Sequence, residues 1–192
     1  MHDTSASELV KQFQNLKLKN MSKRLIVFAA IIGMFTACDK DNNQTPVYTA
    51  PQGVADITLT TTGGTEFKIA GPCGWAVAGG INYIGANHVT NNLKVFAADF
   101  NIPVLPTTTT TYTLVNDSSD EDPTHITMSL TEIVDSGFRE WTSNDGSGTL
   151  TLVVEGNKVT ANLAGINLEP GSTNHALYDE SGALTGTLKF YR

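Results

Sequence analysis

The feature that most limits the fold is a two-residue rhythm of apolar side chains, broken at short intervals by turn residues. Between Thr149 and Glu155, the residues Leu150, Leu152 and Val154 fall on one side of an extended chain. After Gly156-Asn157, the residues Val159, Ala161 and Leu163 repeat the pattern. Side chains alternate across a strand and a two-residue Gly-Asn turn suits a tight connection, so this segment predicts a hairpin. The same logic makes Ile57 and Leu59, Gly63-Gly64, then Phe67 and Ile69 an N-terminal hairpin. It also makes Ala183 to Tyr191 a last strand whose inward row is Leu184, Gly186, Leu188 and Phe190. Further strands are expected at Trp75 to Gly79, Leu93 to Phe100, Tyr112 to Val115 and Ile126 to Glu132. About eight or nine strands at intervals of about 8 to 15 residues are the pattern of an all-β fold: a single antiparallel β-sandwich or barrel-like domain. No stretch of this region carries sustained helical periodicity with caps, and one short helical turn is expected within Gly80 to Asn92.

Composition agrees. The chain of 192 residues is 40% apolar and only 16% charged, with 17 Gly and 2 Cys, which excludes a membrane bundle, a coiled coil, a collagen and a disulfide scaffold.

The first part of the chain reads as an address. Met21-Ser22-Lys23-Arg24 is a basic stub, Leu25 to Phe35 is an uninterrupted apolar run, and Thr36-Ala37-Cys38 supplies small residues for cleavage. Such a run falls well short of the roughly 20 residues a spanning helix needs, so it predicts a secretory signal. Met1 to Asn20 precede a signal that has its own initiator at Met21, so they are expected to be a non-native or mis-annotated extension. The expected division is therefore 1–20 extension, 21–37 signal peptide, 38–52 polar tether and 53–192 all-β domain. The chain from Cys38 onward can bury roughly 68 to 70% of its unfolded surface, enough for one core without staples.

Phe35-Thr36-Ala37-Cys38 resembles a bacterial lipobox, in which the Cys is acylated through its sulfur and becomes the new N-terminus. Phe35 stands where that motif usually has an aliphatic residue such as Leu. The resemblance implies lipidation at Cys38 with palmitate-type chains and a membrane partner through the anchor. Lys40-Asp41, just behind that Cys, resembles the signal that sends some Bacteroidota lipoproteins to the outer face of the outer membrane. A generic solvated linker is the alternative reading, and the periplasmic face the alternative location. Gly148-Thr149-Leu150-Thr151 and Gly182 to Leu188 resemble a group of small uncharacterised Bacteroidota-type lipoprotein β-domains. That likeness covers the C-terminal half of the domain and, loosely, the whole of it. It implies a β-sandwich on a lipid tether, with no activity to carry over.

From Cys38 onward there are seven Lys and Arg against seventeen Asp and Glu, a net charge of −10. A surface this acidic repels phosphate backbones, so no nucleic acid partner is expected. Cys73, between Gly71-Pro72 and Gly74-Trp75, is expected to be buried and inert in a packed turn. Asn116 to Pro123 holds Asp117, Asp120, Glu121 and Asp122, oxygen ligands that could suit Ca²⁺, though without the spacing and glycine of an EF-hand. A solvated acidic loop is the plainer reading, and no other cofactor is expected. Ser143 to Gly148 is expected to be a turn before the strand at Thr149. Trp141, beside Arg139 and Glu140, is a candidate for stacking on a ligand, with rim or core packing as its alternative; Trp75 is assigned to the core. His88, His125 and His175 lack zinc-ligand spacing, and no nucleophile signature accompanies any Ser or Cys.

The expectation is a non-catalytic, lipid-anchored accessory or binding protein for a protein or glycan, held at the outer membrane and facing outward. The competing class is an envelope enzyme or inhibitor assembled from loops, using carboxylates such as Asp117, Asp120, Glu121, Asp135 and Glu140.

Overall fold

The computed structural model describes residues 53–78, 81–88, 90, 94–116, 120–134, 137–171 and 179–192. They form strands β1 (Gly53–Thr61), β2 (Glu66–Ala78), β3 (Ile81–Asn87), β4 (Lys94–Phe100), β5 (Thr110–Leu114) and β6 (His125–Val134). The others are β7 (Gly137–Thr142), β8 (Thr149–Glu155), β9 (Lys158–Asn162), β10 (Ile166–Pro170) and β11 (Gly182–Tyr191). The expectation of an all-β, barrel-like fold holds.

Nine of the strands close a ring in the order β1-β2-β3-β4-β6-β5-β8-β9-β11, with β11 returning to β1. A ring with an odd number of strands cannot alternate direction all the way round. The one parallel pairing, β5 with β6, absorbs the mismatch. The sheet is thus mixed, where an antiparallel one was expected. Closure itself removes the unpaired edges that a free strand presents to other chains.

The remaining strands, β7 and β10, form a second stretch of wall. β6 pairs with β5 at His125 and Ile126 and with β7 from Ser129 to Val134. Likewise β11 pairs with β10 from Gly182 to Leu184 and with β9 from Thr187 to Tyr191. At each branch a specific residue manages the exchange of partners. Ser143, 2% exposed, donates its hydroxyl to the Val115 carbonyl at 2.7 Å and accepts the Met128 N–H at 2.9 Å. On β11 the branch falls at Gly186, whose φ of +111° disfavours other residues and where an added Cβ would collide with the Asp56 carbonyl oxygen. The Gly186 carbonyl accepts the Leu163 N–H at 3.0 Å, filling the place a continuous ladder would have used.

The inward rows supply one core. Ile57, Leu59, Ile69, Ile84, Phe96, Leu114, Leu150, Leu152, Leu168 and Leu188 are each 0% exposed. Each such side chain stabilises the fold by roughly 1.5 to 3 kcal/mol relative to exposure.

Both expected hairpins form: Glu155 stands opposite Lys158 across the two-residue Gly156-Asn157 turn, and Ile57 stands opposite Ile69 with Thr62 joining Gly63-Gly64 in the connecting loop. Three strands were not foreseen: β3, β7 and β10. β3 occupies the stretch where a helical turn was expected. It is a strand because β2 and β4 pair with it on both sides, so its backbone groups are satisfied by the ladder. Cys73 lies within β2 rather than in a turn.

Candidate functional site

The alternating strand directions give the barrel two distinct ends. One gathers the starts of β1, β3, β6 and β9 with the finishes of β2, β4, β8 and β11; it is called the Gly53 end. The other holds the finish of β1 at Thr61 and the starts of β2, β4, β7 and β11.

At the Thr61 end the apolar inward rows finish in charge. Along β6, Ile126, Met128 and Leu130 are buried and the next inward residue is Glu132, 8% exposed. Lys94 of β4 and Arg139 of β7 are its register partners on either side. Lys94 Nζ lies 3.4 Å from Glu132 Oε1, and the Arg139 guanidinium meets the other carboxylate oxygen. The three side chains are 11 to 21% exposed, so this is an ion cluster at a rim and not one sealed in the interior. Phe67 floors the cluster: the Arg139 guanidinium carbon is 4.6 Å from its ring centroid and Lys94 Nζ is 5.9 Å away. Cations over an aromatic face gain about 0.5 to 2 kcal/mol each, depending on desolvation. The arrangement sets two cations and one carboxylate over an aromatic base at the rim, where water reaches them.

Trp141 lies beneath this rim. Its side chain is 2% exposed, its ring is tilted against Phe67 with centroids 4.4 Å apart, and its indole N–H donates to the Glu180 carbonyl at 2.9 Å. The candidate stacking role is therefore corrected: Trp141 is an inward residue of β7, buried in the core with its polar handle satisfied. Glu180 ties the same region together, since its carboxylate accepts the Gly63 N–H at 3.0 Å across the β1–β2 turn. Glu140, the neighbour on β7, is 6% exposed and its side chain lies against Gly171.

The acidic segment is at the Gly53 end. Asp120 Oδ2 is 2.6 Å from His125 Nδ1, and Asp120 Oδ1 accepts the Asp122 N–H at 2.8 Å. Asp122 Oδ1 accepts the Thr124 N–H at 2.8 Å and its hydroxyl at 2.6 Å. The Asn101 side-chain amide donates to the Asp120 and Asp122 carbonyls, joining this segment to the end of β4. Asp120 is held below its usual value by the Asp122 N–H first and His125 second, and Asp122 by the Thr124 hydroxyl and N–H. His125 is raised by its bond to Asp120. These carboxylates build turns and one ion pair, while Glu121 is exposed. Among the described residues no group of three or more His, Cys, Asp or Glu is disposed to hold a metal. Asp117, Asp135 and His175 lie outside the described residues, as does Cys38.

The Gly53 end is otherwise aromatic. Trp75 and Phe100 have centroids 5.3 Å apart, and Tyr112 meets Phe100 edge-on at 5.0 Å. Leu105 joins the core from the segment after β4, and Ile102 packs against it. Trp75 is thus partly buried at the margin of the core and not fully inside it. Cys73 is 2% exposed, and burial pushes its thiol up to about 11, consistent with the inert role expected of it.

Sequence reasoning passed over Lys94, Glu132 and Arg139. A signal was present: Glu132 continues the inward row of Ile126, Met128 and Leu130, and Lys94 stands two residues ahead of Phe96. A scan against protein-family models and searches of curated proteins and of solved structures find no match to this chain.

Proposed function

We propose that this chain is a lipid-anchored, non-catalytic β-barrel that serves as a binding or accessory module for a protein or glycan at the bacterial outer membrane, facing outward. The observation that carries the reading is Thr36-Ala37-Cys38 behind the apolar stretch Leu25 to Phe35, ahead of a barrel whose described strands run from Gly53. Several acyl chains, each gaining about 0.8 kcal/mol per buried methylene, hold a protein on a bilayer where one chain does not. The fold supports the role: a closed ring keeps its backbone polar groups paired and its core filled, leaving rims and loops as recognition surfaces. Of these, the charged rim at Lys94, Glu132 and Arg139 is the surface for a polar partner. The net charge of −10 from Cys38 onward argues against nucleic acid.

The test is the mass of the N-terminal peptide of protein extracted from membranes, beside a Cys38→Ala variant. The expected result is a chain that begins at Cys38 and carries acyl groups, with the variant released from the membrane fraction. An unmodified Cys38, or equal membrane retention of the variant, overturns the reading.

A further inference from the structure

The described residues expose five large hydrophobic side chains: Val54, Val77, Val104, Val153 and Tyr191, at 65, 59, 68, 40 and 49%. All five belong to the Gly53 end. Val54 is second in β1, Val77 next to last in β2, Val104 follows β4, Val153 is in the second half of β8 and Tyr191 closes β11. Exposed apolar residues scattered singly need no explanation, but collection at one end does.

Three of them share the outer face of neighbouring strands. Register places Pro72, Val54, Lys189, Thr160 and Val153 in one row across β2, β1, β11, β9 and β8. The adjoining row nearer the rim is Tyr191, Lys158 and Glu155. Lys158, Lys189 and Arg192, three of the seven cations from Cys38 onward, thus lie among the apolar residues. One step further from the rim the face turns polar, with Asp56 paired to Lys68 at 3.4 Å and then Thr58 opposite Thr185. Asp120, Glu121 and Asp122 are at the same end but beside β4 and β6, across the nine-strand ring from β11 and β1.

On this arc the apolar residues are mixed with cations, Glu155 standing opposite Lys158, while Asp120, Glu121 and Asp122 cluster on the opposite arc. This is the pattern of a surface that meets lipid headgroups with a preferred tilt. The chain itself joins the barrel on this arc. The tether between Cys38 and Gly53 spans at most about 50 Å when fully extended. We infer that the outer faces of β1, β11, β9 and β8 at the Gly53 end seat against the surface of the bilayer in which the anchor is held. The inference rests on acylation of Cys38 as proposed above. A patch this small binds bilayers weakly when free, but the anchor makes the contact intramolecular, with an effective concentration on the order of millimolar. Seating this end turns the Lys94–Glu132–Arg139 rim away from the membrane.

The test uses the full chain purified from membranes and reconstituted into vesicles of phosphatidylethanolamine and phosphatidylglycerol. Val153→Cys and, separately, Thr185→Cys are labelled with an environment-sensitive fluorophore and quenched with iodide; buried Cys73 stays unlabelled. Acylation of Cys38 is read in parallel by mass. The expected result is at least a threefold lower quenching constant at position 153 than at 185, lost when Cys38→Ala is added. Equal quenching at the two positions in acylated protein overturns the inference alone, as does protection at 153 that persists without vesicles. Unmodified Cys38 overturns the proposed function and this inference together.

Discussion

The two ends of this barrel are built from the same strands yet finish in opposite chemistry. At the Gly53 end the inward rows run out in Trp75, Phe100 and Tyr112, with Ile102 and Leu105 packed beside them. At the Thr61 end they run out in Lys94, Glu132 and Arg139 over Phe67. The first solution gains from burial alone and tolerates any ionic strength. The second costs desolvation of three charges and recovers it only while all three partners remain. A barrel stabilised at both ends by apolar side chains would have no need of the second device. What sets the Thr61 end apart is that its charges continue the inward rows, whereas Asp120, Asp122 and His125 at the Gly53 end sit at the entry to β6.

The largest effect is expected at the aromatic end. Phe100→Ala removes a ring that is 3% exposed and touches both Trp75 and Tyr112, and should cost about 3 to 5 kcal/mol in denaturant unfolding. A loss below about 1 kcal/mol means that this end is loosely packed.

At the charged end, Glu132→Ala leaves Lys94 and Arg139 without their shared carboxylate. About 2 to 3 kcal/mol should be lost, toward the low side for a broken buried pair because the trio keeps contact with water. Glu132→Gln, which retains shape and one acceptor, should cost less. Equal costs for the two variants contradict an electrostatic role and reduce Glu132 to packing.

The Asp120–His125 pair should give a smaller effect with a pH signature. Asp120 is depressed below 3.8, so its contribution is present above that value and lost as pH falls through the folded pKa. His125 is raised above 6.5, so its contribution is full below 6.5 and lost as pH rises through the folded pKa. The stability difference between wild type and Asp120→Asn should therefore be greatest between pH 3.8 and 6.5. In proton NMR the His125 titration should move down in the variant. An unchanged His125 titration would show that the pair does not persist in solution.

The smallest effect concerns Cys73, with its thiol at about 11 and its sulfur 3.6 Å from the Lys189 carbonyl. It should resist a disulfide-exchange reagent at mildly alkaline pH in the folded protein and react at once in denaturant. Rapid reaction in the native state would show that β1, β2 and β11 open locally at the Gly53 end.

The parts of the fold legible in the sequence are those in which one face of a strand is wet. β8, β9 and β11 alternate cleanly, and the β8–β9 hairpin takes the register its Gly156-Asn157 turn sets. β3 defeated the same reasoning because Tyr83 to Asn87 are buried on both faces, so no polar row marks the period. β7 gave no strand signal because Arg139 and Glu140 directly precede Trp141 and mask its apolar row, yet register places Arg139 and Trp141 on the inner face together. β10 is short and ends in Pro170, too brief to show a period. The parallel pairing of β5 with β6 depends on ring closure, a long-range condition with no local signal. The charged rim was legible only in part: Glu132 continues the inward row of β6, but Lys94, Glu132 and Arg139 stand on three separate strands, and only register brings them together.

Outward display is read most directly by proteinase K treatment of intact cells expressing the full-length protein. The barrel is followed by immunoblot, with a periplasmic protein as the control for a sealed envelope. An outward-facing lipoprotein predicts loss of the barrel from intact cells while the control survives. Protection in intact cells, with digestion only after the envelope is broken, contradicts outward display and the reading of Lys40-Asp41 as an export signal.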